Sequence, residues 1–180
     1  MSLKRIIALC GSTRKTSTNL SLLQAIRSLT ETKFTFSIFQ GLANLPHFNP
    51  DLDNDTPPSE VIEFRKLLRG ADGILICTPE YAMGVPGTLK NAIDWTVSSC
   101  EFSRKPVALI TASSLGEKGH ASLLETLKII ESNITEETQL RISYAKTKIS
   151  QAGVIVDEAT KREVESLLEA FNHLIRKAVL

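Results

Sequence analysis

A segment dense in hydrogen-bond donors lies between the first apolar run of the chain and the first stretch of helical periodicity. It carries five hydroxyl groups, one arginine and one amide, at Ser12, Thr13, Arg14, Thr16, Ser17, Thr18 and Asn19. Backbone N–H groups and the helix dipole at a helix start favour an anion, and hydroxyl groups add neutral donors. Because one residue suffices to cap a helix, this density favours a phosphate-binding loop over a simple cap. Arg14 can make a charge-assisted contact with the same phosphate.

Motifs that are absent from the segment restrict the type of phosphate ligand. A dinucleotide fingerprint needs GxGxxG and an acidic residue after the second strand, but the segment has one glycine, Gly11, and Phe39-Gln40 ends the second strand. A Walker A sequence with Gly-Lys-Ser/Thr is also missing. A receiver domain needs acidic residues where Cys10-Gly11 stands. A monophosphate held by hydroxyl groups fits best, and FMN is the common ligand of that kind.

Two later loops are suited to a flat ring. Residues 79–87 are rich in turn formers and contain Tyr81 and Met83 as apolar walls. Residues 113–119 contain two serines and two glycines, which permit close approach of the backbone to a ligand. A proline-rich crossover and a plain flexible loop explain these two segments as well when each is taken alone.

The hydrophobic pattern predicts the elements that position these loops. Apolar runs predict strands over residues 6–10, 34–39, 73–77 and 107–110, with a fifth strand within 139–143. Apolar residues at helical spacing predict helices over residues 20–29, 59–70 and 86–95, from Gly119 onwards, and over 157–177. We therefore expect one α/β domain over residues 1–180 with a doubly wound parallel sheet. Ligands of such sheets bind outside the C-terminal strand ends, where all three loops lie.

Composition restricts the partners and the compartment. Twenty-one basic and 20 acidic residues leave a net charge of +1, which gives no electrostatic footprint for nucleic acid or an anionic membrane. No apolar run approaches the roughly 20 residues of a transmembrane helix, and the N-terminus lacks signal-peptide anatomy. Cys10, Cys77 and Cys100 are odd in number and lack CxxC spacing, so we expect a cytoplasmic protein without disulfides.

Polar residues outside the three loops suggest no metal site. Asp51, Asp53 and Asp55 alternate in the irregular stretch of residues 40–58, but the glycine and the terminal glutamate of a calcium loop are missing. We expect these carboxylates to be solvated. His120 adjoins the third loop and is a candidate for contact with a substrate.

Two motifs carry a resemblance to a known family. One reads Gly11-Ser12-x-Arg14-x-x-Ser17-x-Asn19-x-x-Leu22, and the other reads Pro79-Glu80-Tyr81 followed by Pro86-Gly87-x-Leu89-Lys90-Asn91-Ala92-Ile93-Asp94-Trp95. In these runs the sequence resembles the NADPH-dependent FMN reductases, which include bacterial quinone, chromate and azo-dye reductases. The resemblance covers nearly the whole chain in order.

The resemblance implies a flavodoxin-like three-layer fold with strand order 2-1-3-4-5 and an assembly of two or four identical chains. It also implies FMN as cofactor and hydride transfer from NADPH or NADH, through the flavin, to a small quinone, flavin, azo compound or metal oxyanion. No catalytic side chain is implied, since the cofactor carries the reaction. The implied FMN contacts are Ser12, Arg14, Ser17, Thr18 and Asn19 at the phosphate, Pro79, Glu80, Tyr81 and Ala82 along the ring, and Ser113 and Gly116 at its far edge.

Two departures from the family pattern keep other functions open. Ala82 stands where the family commonly has Asn, and residues 117–120 replace a Gly-Gly-x-Arg-like run. A non-enzymatic flavin-binding regulatory module is therefore one alternative. A flavodoxin-type electron carrier is another, although such carriers are usually strongly acidic and this chain is not.

Overall fold

A five-stranded parallel sheet forms the centre of the computed structural model, which describes residues 3–178. The strands are β1 (Lys4–Cys10), β2 (Phe34–Phe39), β3 (Gly73–Thr78), β4 (Val107–Ala112) and β5 (Gln139–Ile142). Their order across the sheet is β2-β1-β3-β4-β5, and every neighbouring pair is parallel. The expected strand order and the expected doubly wound fold are confirmed.

Helices connect the strands and cover both faces of the sheet. They are α1 (Thr18–Thr30), α2 (Ser59–Arg69), α3 (Gly87–Asp94), α4 (Glu117–Ile129), α5 (Ala145–Lys148) and α6 (Glu158–Lys177). Helix α4 begins before Gly119 because Gly116, with φ of 82°, occupies its N-cap position. The four-residue helix α5 was not predicted. Among the helices of residues 3–178, none combines the length and the apolar character needed to cross a membrane.

Alternate side chains of the three central strands, β1, β3 and β4, enter two separate cores. Ile6 and Ala8 belong to a core with residues of α1 and α6, whereas Ile7 and Leu9 belong to a core with residues of α2, α3 and α4. The same alternation continues along β3 and β4. Burial on both faces explains why these strands appear in the sequence as continuous apolar runs.

A buried ion pair ties the long loop after β2 to α2 and to the end of α3. Arg65 donates from Nε to the carbonyl of Trp95 at 2.7 Å and from Nη2 to Asp53 at 2.6 Å and the Ser98 hydroxyl at 3.3 Å. The expectation that Asp53 is solvated is wrong, because the Arg65 and Asp53 side chains are only 7% and 10% exposed. Desolvation raises the pKa of the Asp53 carboxyl, but hydrogen bonds from Arg65 and Ser98 hold it below its usual value. These four residues are called the Arg65 cluster below.

Candidate functional site

A cleft of about 440 Å³ opens at the C-terminal edge of the sheet. Its lining comes from the loops after β1, β3 and β4 and from the segment after β5: Ser12, Arg14, Ser17, Thr18, Asn19, Pro79, Glu80, Tyr81, Ala112, Ser113, Ser114, Tyr144, Ala145, Lys146 and Thr147. Nine of the eleven residues predicted to contact a cofactor are in this lining. Ala82 and Gly116 lie outside it, and their contact with a cofactor stays a prediction.

The loop after β1 presents polar groups that lack protein partners. Ser17 occupies the N-cap position of α1 in an extended conformation, yet its side chain makes no capping hydrogen bond to the described part of the chain. Within residues 3–178 the Arg14 guanidinium makes one hydrogen bond, to Thr16 Oγ1 at 3.3 Å. The N-terminus of α1 and the side chains around it are therefore free to bind an anion.

Glycine is required where this loop leaves the sheet. The Gly11 N–H donates to the Cys77 carbonyl at 2.8 Å, so the loop begins in close contact with the end of β3. A Cβ atom on Gly11 would lie 2.2 Å from Thr78 Oγ1. A larger residue would force apart the two strand ends from which the loops after β1 and β3 emerge.

Asn19 joins α1 to two strands. Its buried side chain donates to the Ala112 carbonyl at 3.0 Å, at the end of β4, and accepts from the Cys77 thiol of β3 at 3.2 Å. Its side chain therefore holds the helix start in place, which the sequence motif did not predict. Cys10 and Cys77 are buried, and burial raises the pKa of both thiols, so neither is a ready nucleophile.

The loop after β3 makes a tight turn that exposes its tip. Tyr81 and Gly84 exchange backbone hydrogen bonds of 3.1 and 2.9 Å. The two central residues, Ala82 and Met83, have φ of 49° and 61°, a left-handed conformation that costs an alanine or methionine more than an asparagine or glycine. The Ser12 and Tyr81 hydroxyls lie 3.4 Å apart, so the base of this turn contacts the loop after β1.

Glu80 connects the loops after β3 and β4. Its backbone N–H donates to the Ser113 hydroxyl at 3.2 Å, and its carboxylate accepts from the Gly119 N–H at 2.6 Å. The carboxylate therefore lies at the N-terminus of α4, where the helix dipole favours a negative charge. Because the side chain is engaged in this way, Glu80 holds two walls of the cleft together.

The segment after β5 is the wall that the sequence did not predict. The Tyr144 N–H donates to the Ser114 carbonyl at 2.9 Å, and the Ala145 N–H donates to the Ser113 carbonyl at 3.1 Å. These bonds place residues 144–147 along the cleft, with the Tyr144 side chain 64% exposed. The segment has no sequence motif of its own. Its hydrogen bonds to the loop after β4 bring it to the site.

His120 lies behind the cleft lining. Its Nδ1 shares a hydrogen bond with the Thr111 hydroxyl at 2.9 Å, and it is not among the lining residues. Burial lowers the pKa of the imidazole, and the nearby Arg141 charge lowers it further. A hydrogen bond with Gln139 opposes this lowering of the pKa, and the bond between His120 and Thr111 connects α4 to β4.

The donor set of the cleft fits FMN. Neutral hydroxyls, an uncapped helix start and Arg14 suit a phosphate monoester, which carries a charge of about −1.5 to −2 at neutral pH. Tyr81 lines the same cleft and offers its face to a flat ring.

Comparison with known proteins agrees with this geometry. Residues 4–145 match the model of the NADPH-dependent FMN reductase family. A 2-hydroxy-1,4-benzoquinone reductase of a Burkholderia species is 32% identical, with 98% of each chain covered. The quinone reductase of Escherichia coli K12 is 29% identical, with 96% of each chain covered.

The fold of a solved structure is similar over the same length. FerB, a flavoenzyme NAD(P)H:(acceptor) oxidoreductase from Paracoccus denitrificans, superposes with a TM-score of 0.87 at 28% identity. The superposition covers 98% of this chain and 99% of FerB. The similarity therefore includes the segment after β5 as well as the three loops.

Proposed function

Because the chain belongs to the NADPH-dependent FMN reductase family, and is therefore an NAD(P)H-dependent oxidoreductase with FMN as cofactor, we propose that its electron acceptor is a small quinone. The observation that carries this proposal is the cleft itself, in which two exposed tyrosine rings border a site with no free carboxylate. The one acidic side chain of the lining, Glu80, is already bonded to the start of α4. Such a site favours a flat, oxygen-bearing ring over a cation.

The side chains and backbone of the cleft divide the work of binding FMN. Ser12, Arg14, Ser17 and Thr18 line the cleft at the start of α1 and would hold the phosphate. Pro79, Tyr81 and Ser113, which line the same cleft, would border the ring. When bound, FMN supplies the transfer of a hydride between the nicotinamide and the quinone.

The protein's part in the reaction is to orient and to exclude water. Glu80 fixes the distance between the loops after β3 and β4 through its two hydrogen bonds. Tyr144, on the β5 side, offers the entering quinone an aromatic face. No side chain of the cleft is required to act as a nucleophile or as an acid–base pair.

An assembly of two or four identical chains in the cytoplasm is part of the proposal. Large apolar side chains stay exposed around α3, with Met83 at 75% and Val97 at 52% exposure. Burial of such residues against a second copy stabilises a dimer. The three cysteines are free, which suits a reducing compartment.

The acceptor is tested by the two half-reactions in turn. Purified protein is first reduced with NADPH without oxygen, and bleaching of the flavin absorbance is recorded. Reoxidation rates are then compared for 1,4-benzoquinone, free FMN, an azo dye and chromate at matched concentrations. We expect the quinone to give the highest second-order rate constant. Faster reoxidation by any of the other three would replace quinone as the acceptor.

A substitution in the segment after β5 tests whether that wall of the cleft contacts the quinone. Tyr144→Ala should slow reoxidation by the quinone while the rate of reduction by NADPH and the flavin content stay unchanged. Lys148→Ala, in the same short helix but outside the cleft lining, serves as the matched control and should change neither rate. Equal slowing in both variants would assign the effect to the conformation of the segment.

A further inference from the structure

Lys146 lies in the wall of the cleft without an anionic partner. It is one of two cationic side chains in the lining, the other being Arg14. In residues 3–178 it takes part in no ion pair, and Glu80, the single acid of the lining, is bonded to Gly119. The charge of Lys146 is therefore available to a ligand.

Backbone hydrogen bonds place Lys146 beside the start of α1. Ala145 is bonded to the Ser113 carbonyl, and Asn19 of α1 is bonded to the carbonyl of the preceding residue, Ala112. The segment then continues along α1, because a Cβ atom on Gly153 would lie 3.4 Å from the Ser21 carbonyl oxygen. Lys146 therefore directly follows Ala145, which is bonded to Ser113. The adjacent residue, Ala112, is bonded to Asn19 in the first turn of α1.

The charge of the ligand favours a second cation at this place. A phosphate monoester carries about two negative charges at neutral pH, and Arg14 supplies one positive charge. Lys15, the next cation of the loop, lines an adjoining groove that shares Ser12 and Arg14 with the cleft, but Lys15 itself is not among the cleft lining. Lys146 is the remaining cationic side chain of the lining.

We propose that Lys146 binds the phosphate of FMN from the side opposite the loop after β1 and so completes the neutralisation that Arg14 begins. The match to the family model ends at residue 145, so this contact lies outside the family motifs. The inference rests on FMN as cofactor and does not depend on the acceptor. It predicts that Lys146 distinguishes FMN from riboflavin, which has the same ring and lacks the phosphate.

The test measures dissociation constants of FMN and riboflavin by the quenching of flavin fluorescence on the full chain after its flavin has been removed. Lys146→Gln should weaken FMN about tenfold at low ionic strength, as expected for a charge-assisted hydrogen bond. Its riboflavin affinity should equal that of the wild type. Raising the salt concentration from about 0.05 to about 0.5 M should reduce the difference in FMN affinity between wild type and Lys146→Gln, because screening weakens exposed charge pairs.

Lys148→Gln is the matched control, since Lys148 belongs to the same short helix but is absent from the cleft lining. It should leave both affinities unchanged. Lys146→Arg keeps the charge and should retain FMN affinity to within about twofold, which separates loss of charge from loss of folding.

Two results would overturn the inference. Unchanged FMN affinity in Lys146→Gln would remove the lysine from the phosphate site, and an equal loss for riboflavin would assign it to the ring. Neither result bears on the choice of acceptor. Conversely, reoxidation by chromate rather than quinone would leave the role of Lys146 intact.

Discussion

Two regions of the molecule each contain a central arginine, and the two arginines differ in their burial and in their number of hydrogen-bond partners. In the Arg65 cluster the guanidinium has three partners at 2.6 to 3.3 Å and is buried with them. In the loop after β1, Arg14 is exposed and has one long hydrogen bond, and Ser17 at the N-cap position does not cap. Polar groups that satisfy one another hold the fold together, whereas polar groups left unsatisfied at a concave edge indicate a ligand.

The physical basis of this difference is the cost of unpaired polar groups. A buried polar group without a partner destabilises the chain, so the Arg65 cluster must be complete before any ligand arrives. At the cleft, water satisfies the same kinds of groups until a ligand displaces it. Substitutions in the first region should therefore change stability, and substitutions in the second should change binding.

The largest effect is expected for Arg65→Ala, which leaves the Asp53 carboxylate buried without its partner. We expect the free energy of unfolding to fall by about 3 kcal/mol, measured by urea denaturation of the flavin-free chain, with FMN affinity nearly unchanged. Lys128→Ala, which breaks the exposed pair with Glu125, should lose less than about 1 kcal/mol. Similar losses in both variants would contradict the contrast between buried and exposed pairs.

The same ion pair should be visible in the pH dependence of stability. Because the pKa of Asp53 is lowered in the folded chain, its contribution is complete above the ordinary aspartate pKa, near about 4. The contribution disappears as the pH falls through the lowered folded-state value. The difference between wild type and Arg65→Ala should thus be constant near neutrality and shrink in acid.

Next in size is the effect of Arg14→Ala on binding. Loss of one charge-assisted contact with the phosphate should weaken FMN by about 2 kcal/mol, or about thirtyfold, in a fluorescence titration. Urea denaturation of the flavin-free protein should not distinguish the variant from wild type. Unchanged FMN affinity would remove Arg14 from the phosphate site.

A smaller effect compares two N-cap residues. Ser17→Ala should weaken FMN about fivefold, because the hydroxyl caps no backbone group of α1 and lines the cleft, and should leave the melting temperature of the flavin-free chain unchanged. Asp157 does cap its helix, accepting from the Thr160 N–H at 2.8 Å, so Asp157→Ala should lower that melting temperature without affecting FMN. A melting temperature lowered by Ser17→Ala would show that Ser17 has a capping role after all.

The smallest effect concerns the left-handed turn after β3. Ala82→Asn should raise the free energy of unfolding by about 0.5 kcal/mol, because asparagine tolerates positive φ better than alanine. Ala121→Asn, at an exposed position of α4, is the control and should lower it by a similar amount, since asparagine is the poorer helix former there. Urea denaturation of both variants tests the sign of each change.

Much of the fold could be predicted because each central strand is buried on both faces and therefore appears as an apolar run. The fifth strand, shorter and at the edge, could be placed only within residues 139–143 and is observed at Gln139–Ile142. The start of α4 was misplaced because its N-cap residue, Gly116, is a glycine with positive φ. The usual sequence signal of an N-cap is a Ser, Thr, Asp or Asn residue. Local pattern thus predicts where buried elements lie and is weaker at their ends.

The site was predictable where a local motif carries it and unpredictable where tertiary contacts do. Loops after β1 and β3 could be identified from their side chains. Asp53 could not be paired with Arg65 by inspection, since their contact needs the packed loop before α2. The wall at residues 144–147 depends on hydrogen bonds to Ser113 and Ser114, which no spacing in the sequence reveals.

The Asn19 side chain connects the place where the cofactor phosphate is expected to the centre of the fold. By joining α1 to β3 and β4, it links the helix start that receives the phosphate to the centre of the sheet. A ligand present at 100 times its dissociation constant stabilises the folded chain by about 2.7 kcal/mol, and each unfolding event must first release it. We therefore expect the flavin-free chain to unfold at a lower urea concentration than the flavin-bound chain.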